Sequence, residues 1–258
     1  EINGDEKITL DYEAYRFNLS YQYGINRNWN LKLDIPLQYM SGGIFDSAIE
    51  NWHEFFALPN GQRPLVEQDQ YNIQYQLQSL PMIDLNDSSM SLGDIQAAVA
   101  HSIMESGSTD MSLWAGIKLP TGDEDKLSGS GAIDFSAWLA MNQRLGTDWA
   151  LNLNAGTVIP GDDDYRGIPL SDYALYGHIT LAWLVTDNIN LKAQVNAHTS
   201  YYQDSRLKLL GDSYLLNVGA TVNVNDCQQL DIAISEDIKV SSSPDISLLF
   251  KWRHISQC

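Results

Sequence analysis

No stretch of this chain approaches the roughly 18 consecutive apolar residues of a helix that crosses a bilayer, although 44% of its 258 residues are hydrophobic. That absence excludes a helical membrane protein. Cations are scarce too: 15 Lys and Arg stand against 33 Asp and Glu, a formal net charge of −18. Nucleic acid is therefore excluded as a partner, because its phosphates call for Lys and Arg. Cysteine is limited to Cys227 and Cys258, too few for a disulfide framework. No Gly/Ser/Pro-rich linker divides the chain, so we read one domain over 1–258.

What the chain has instead is alternation. Apolar and polar residues exchange with period two over about a dozen positions at a time, the length a tilted β-strand needs to cross a bilayer. Trp149 to Ala155 and Ile189 to His198 are the clearest cases, with one face apolar or small and the other polar. Such strands hide a lipid-facing surface inside a mean hydropathy of only −0.24. Strands in lipid must satisfy every backbone group among themselves, so the array must close. The expected fold is all-β, a transmembrane antiparallel up-and-down β-barrel in the outer membrane of a Gram-negative bacterium, with an export signal ahead of Glu1.

The strands are expected at 8–23, 29–40, 92–104, 111–121, 132–142, 148–159, 173–185, 189–201, 213–224, 229–238 and 245–253. Short connections alternate with long ones rich in Gly, Asp, Ser and Pro. Bacterial barrels put short turns in the periplasm and long loops outside. By that rule the first and last of these eleven strands both descend and cannot pair antiparallel. An even count requires one more, so we expect a strand preceding Glu1 and twelve in the intact barrel. Residues 41–91 form the longest extracellular loop, in which 71–78 is expected in a small β-hairpin. Trp29, Trp149, Trp183 and Trp252 fall beside short turns or the chain end on the apolar face, where an interfacial girdle sits. Most carboxylates fall in the longer connections, Asp162, Asp163 and Asp164 among them, and form an acidic collar that could bind divalent cations bridging lipid phosphates.

Several segments together resemble an uncharacterised family of bacterial outer-membrane proteins, catalogued as domain of unknown function 3187. They are SGGIFDSAIENWHEFFALPNGQR (Ser41 to Arg63), KLPTGDEDKLSGSG (Lys118 to Gly131), NAHTSYY (Asn196 to Tyr202) and AISEDI (Ala233 to Ile238). The resemblance implies a fold and a location, and a further strand-like stretch ahead of Glu1. It supplies no catalytic residues.

One helix is expected near 44–57, where Phe45, Ile49, Trp52 and Phe56 recur at helical spacing and Leu58 to Gly61 ends the run. Two roles are open to it. It packs on the barrel rim, or it folds into the mouth as a plug or lid, with Trp52 and Phe56 occluding the lumen and Gly42-Gly43 as hinge. The polar faces of the strands should line the lumen with Arg16, Lys32, Trp114, Lys118, Trp138, His178, Lys192, Gln194 and His198. Indoles facing a lumen suggest a narrow interior or a slot for an amphipathic molecule. His178 and His198 could begin a metal site, but no third ligand stands at usual spacing, so no metal or other cofactor is expected. No Ser-His pair with an orienting group emerges, so no enzyme is expected. Cys227 and Cys258 reach the same rim, where a disulfide and two free thiols are equally admissible.

The expected function is a monomeric, porin-like transport barrel that passes or binds a small amphipathic molecule, gated or plugged by the 44–57 helix. The alternative is a closed structural or interaction barrel that binds a surface partner or lipopolysaccharide through its acidic loops. Outer-membrane lipid is a partner in either case.

Overall fold

A computed structural model describes residues 1–56, 67–203, 205–238 and 246–256. Its elements, in order, are β1 (Ile2–Asn3), β2 (Glu6–Asp11), β3 (Glu13–Gly24), β4 (Trp29–Ser41), α1 (Asp46–Phe56), β5 (Asn72–Leu77), β6 (Leu80–Leu85), β7 (Ser89–Leu92), β8 (Ile95–Ser106), β9 (Thr109–Leu119), β10 (Asp134–Leu145), β11 (Trp149–Ile159), β12 (Asp164–Tyr165), β13 (Ile168–Pro169), β14 (Ala174–Thr186), β15 (Ile189–His198), β16 (Ser213–Asn225), β17 (Gln228–Asp237) and β18 (Ile246–His254).

Eleven long strands form one antiparallel sheet in the order β18-β17-β16-β15-β14-β11-β10-β9-β8-β4-β3, with β7 continuing the line of β8 against β4. Every neighbour in this order is antiparallel, and all the tight hairpins lie at one end. Gly107 and Gly146 take φ of 46° and 76° in two of those turns, a left-handed backbone that costs glycine nothing. The long connections gather at the other end. The sheet is open between β3 and β18, which run in the same direction from the loop end to the turn end.

The register makes the two faces distinct. On β10, Asp134, Ser136, Trp138 and Ala140 share one face with Lys118, Gly116, Trp114 and Ser112 of β9. Phe135, Ala137 and Leu139 share the other with Ile117, Ala115 and Leu113. Leu113, Phe135, Ile179, Val218 and Phe250 are all exposed on this second face, although their strands are fully paired or at the sheet edge. A large apolar surface in the open is a lipid-facing surface. Trp149 and Trp183 stack on it beside the turns, centroids 5.6 Å apart, and Trp29 lies 4.6 Å from His101 at the same end. Trp252 shares that exposed face on β18.

A second, smaller sheet of β1, β2, β5 and β6 stands at the loop end. The hairpin expected at 71–78 is its β5 half. Residues 8–12, expected in the first membrane strand, are not part of the large sheet; Ile8 to Asp11 pair with Tyr75 to Asn72 instead. The reason is a phase slip. Apolar residues occupy even positions in β2 (Ile8, Leu10) and odd ones in β3 (Tyr15, Phe17, Leu19, Tyr21), and one strand cannot present both to one medium. The chain breaks at Tyr12. Ile8, Met40, Ile73, Tyr75, Ile83, Ile168 and Leu207 form the buried apolar cluster here. Each such side chain contributes on the order of 1.5–3 kcal/mol by leaving water.

Candidate functional site

Between this cap and the inward face of the large sheet lies a cavity of about 580 Å³. Its two sides differ in chemistry. The roof is apolar, built from Ile8, Leu10, Ile73, Tyr75 and Ile83 of the small sheet, with Ile168, Leu170 and Leu210 from the loops. The wall is polar, with Arg16, Gln38, Gln96, Lys118 and Asp134 projecting from alternate positions of β3, β4 and β8 to β10.

The wall is held by one ion cluster. Asp94, 6% exposed in the break between β7 and β8, accepts hydrogen bonds from the backbone N–H of Gly122 and of Ser130, each at 2.9 Å. Lys118 Nζ lies 3.2 Å from the same carboxylate and also pairs with Asp134 and Ser130. A buried carboxylate with this many donors stays charged and fixes whatever carries them. It folds the β9–β10 connection onto the rim of the cavity.

The roof is tied down from several directions. Glu6 accepts from Tyr75 Oη at 3.1 Å and from the N–H of Arg206 at 2.9 Å. Glu1 accepts from the N–H groups of Lys208 and Leu209 at 3.0 and 3.2 Å. Arg166, on the turn between β12 and β13, reaches Asp125 at 2.8 Å, and Leu170 bridges to Tyr202. Burial and the neighbouring Glu6 push the Tyr75 hydroxyl up to about 12, and burial beside Tyr202 does the same for Tyr165. Both remain neutral hydrogen-bonding groups far above physiological pH.

Below the cavity the inward register carries the other residues singled out from the sequence. Trp114 and Trp138 stack at 5.3 Å with planes 6° apart. Gly156 lies directly opposite Trp138, and a Cβ there would strike the Ala137 carbonyl oxygen and the Trp138 Cβ. A Cβ at Gly116 would come within 3.2 Å of the Trp138 ring, so glycine there leaves the indole room beside the strand. Gln194 accepts from Thr180 Oγ1 at 2.6 Å and donates to Asn196 at 2.7 Å. His178 faces Asn196 and His198 faces Tyr176, so the two histidines sit diagonally, one step apart on the same face. Neither belongs to a group of three metal-ligating side chains among the described residues. Lys32 pairs with Asp34 at 2.7 Å, and Lys192 and Arg253 share Asp231 at 3.0 and 3.5 Å. Cys227 is disulfide-bonded, and position 258 lies outside the described residues.

The helix sits elsewhere. Glu13 at the head of β3 accepts from the N–H groups of Ile44 and Phe45 at the start of α1. His53 is buried 3.7 Å from Glu236 on β17, in the outward register of that strand. Thus α1 spans from one end of the open sheet to the strand next to the other. Among the described side chains, none of α1 lines the cavity. Phe45 is exposed and Ile49 and Trp52 are half-buried. The Phe56 side chain and the stop at Leu58 to Gly61 lie outside the described residues. The sequence reading missed the roof, because Ile8, Leu10, Ile73 and Ile83 were read as strand or loop; the phase slip at Tyr12 is the signal that could have exposed it.

The family model for a protein of unknown function, DUF3187, matches residues 2–254. The chain belongs to this family. Among solved structures, this DUF3187 chain is similar to the COG4313 outer membrane channel from Pseudomonas putida F1, with a TM-score of 0.59 at 14% identity over 96% of this chain and 91% of that one. It is also similar to the NanC porin, with a TM-score of 0.55 at 8% identity over 96% and 94% of the two chains. At these identities the likeness shows the fold, that of an outer-membrane β-barrel. No curated protein matches by sequence.

Proposed function

We propose that this DUF3187 protein is an outer-membrane transport barrel for a small amphipathic molecule, admitted through the capped cavity at its mouth. One observation carries the reading: a cavity of about 580 Å³ with an apolar roof and a charged wall, at the loop end of the large sheet. Such a space suits a solute with two faces and a volume of a few hundred Å³. The gate in this reading is the cap, since its side chains, and not the described ones of α1, bound the cavity. In this reading the wall closes through one further strand of opposite direction between β3 and β18, which run the same way.

The test is conductance of the full-length protein in planar bilayers. Deleting 71–86 should raise the current, whereas deleting 44–57 should change it little. A larger effect of the second deletion would return the gate to the helix, and silence from all three forms would remove the transport reading. One observation favours a second reading, a closed barrel that binds lipopolysaccharide through cations: Asp162, Asp163 and Asp164 are exposed, with ligand atoms within 4.8 Å of one another. Calcium binding lost on replacing all three with Asn would support it.

A further inference from the structure

Midway along the strands, the charge on the lumen wall is opposite in sign to that of the whole chain, and there it lies on one arc. Leaving out the two residues at each strand end, the inward register of β15 to β18, β3 and β4 carries Arg16, Lys32, Lys192 and Lys251 against Asp34 and Asp231, with Arg253 beside the turns. Both acids are committed: Asp34 to Lys32, and Asp231 to Lys192 and Arg253 at once. Arg16 and Lys251 make no ion pair among the described residues, one in each half of the wall. They stand on the two strands that flank the open seam.

The facing arc is different. Along β8 to β14 the middle of the inward face is mostly Ala, Gly, Ser, Thr and Asn with Tyr176 and His178, and the stacked Trp114–Trp138 pair is its largest aromatic surface; Gln96, Lys118 and Asp134 stand toward the loop end of this arc, and Asp110 and Arg144 toward the turns. Trp114 spends its one donor on Ser112 Oγ at 2.9 Å, so its indole offers a ring face rather than a hydrogen bond. A ring of one sign near the axis of a pore sets the sign of the ion it passes, whatever the charge elsewhere.

From this placement we propose that the lumen selects small organic anions, the anionic group travelling along the Arg16–Lys251 arc and an apolar face lying against the paired indoles. The proposal rests on the transport reading above and names its substrate class. Acids at the two ends oppose it: Glu105 and Asp110 beside the turns, and Asp237, Asp94 and Asp134 beside the loops, the last two paired with Lys118. The geometry favours the arc because these acids sit at the wide rims, where water and salt screen them.

The experiment is the reversal potential of the full-length protein, with 71–86 deleted to open it, across a KCl gradient. An anion-to-cation permeability ratio of about threefold or more is expected, falling toward one in the double variant R16Q/K251Q. Benzoate, added as the probe organic anion, should reduce the chloride current, and W138A should relieve that block several-fold. A ratio at or below one in a conducting protein would overturn the proposal and leave the transport reading standing. Chloride selectivity without any benzoate effect would overturn its organic part. Absence of current in every form would remove both.

Discussion

The wall and the cap are both β-sheet, both alternate with period two, and bury opposite faces. In the wall, Leu113, Phe135 and Val218 point away from the interior and remain in the open. In the cap, Ile8, Ile73 and Ile83 point toward the lumen side and are nearly inaccessible. The difference lies in the solvent. Lipid is the medium for the wall's apolar face, so that face needs no partner, whereas the cap stands in water and must cover its own. The same residue types are thus stabilised by insertion in one region and by packing in the other.

The largest effect is expected from a charge in each apolar surface. Ile73→Asp places an unpaired carboxylate at a site that is 3% exposed, a change worth on the order of 3–5 kcal/mol. The cap should become sensitive to protease added outside, while the barrel keeps its heat-modifiable migration on gels. Val218→Arg, at the middle of β16 on the lipid face, costs about 2–4 kcal/mol at the bilayer midplane. Here the barrel should fold into liposomes with lower yield, measured against denaturant. Had both variants lost the same structure, wall and cap would be one cooperative unit.

Alkaline pH should separate the two regions more finely. Tyr75 and Tyr165 titrate at about 12 in the folded cap and near 10 when it opens. A raised folded value means the cap's stability is intact below pH 10, falls as pH rises from 10, and is spent above 12. Tyr75 carries the larger consequence, because its phenolate would face Glu6 at hydrogen-bonding distance. Protease protection of the cap should be lost across that window with little change in the strand signal of the wall. Tyr75→Phe should flatten the response.

The wall was legible in the sequence because its two media alternate cleanly along each strand. Trp149 to Ile159 and Ile189 to His198 could be placed, faced and paired from residue type alone. The cap was not, for a physical reason. Ile8 and Leu10 have the same alternation as Phe17 and Leu19, and period two reports that a strand has two faces without saying which solvent each meets. What brings β2 to β5 is a pairing across more than 60 residues of chain, which no local pattern records. The inward register of Arg16, Lys118 and Trp138 came from alternation. Their division into a cationic arc and an aromatic one needed the strand order, and the helix at 46–56 was legible as a helix but not as a span between sheet ends.

The smallest effect tests the girdle, where the wall meets the interface. Trp149 and Trp183 are directly opposed on β11 and β14 and stack at 5.6 Å with planes 9° apart. An aromatic pair is worth about 0.5–1.5 kcal/mol beyond the area it buries, and Trp prefers the headgroup region to either phase. Trp183→Leu keeps an apolar side chain but forfeits both terms, and should lower barrel stability in liposomes by about 1–2 kcal/mol. Double replacement with Trp149→Leu should cost less than the two single changes added, because each already breaks the stack. Strict additivity would mean that the indoles act as separate interfacial anchors. The cap, which has no lipid to face, should be indifferent to all three.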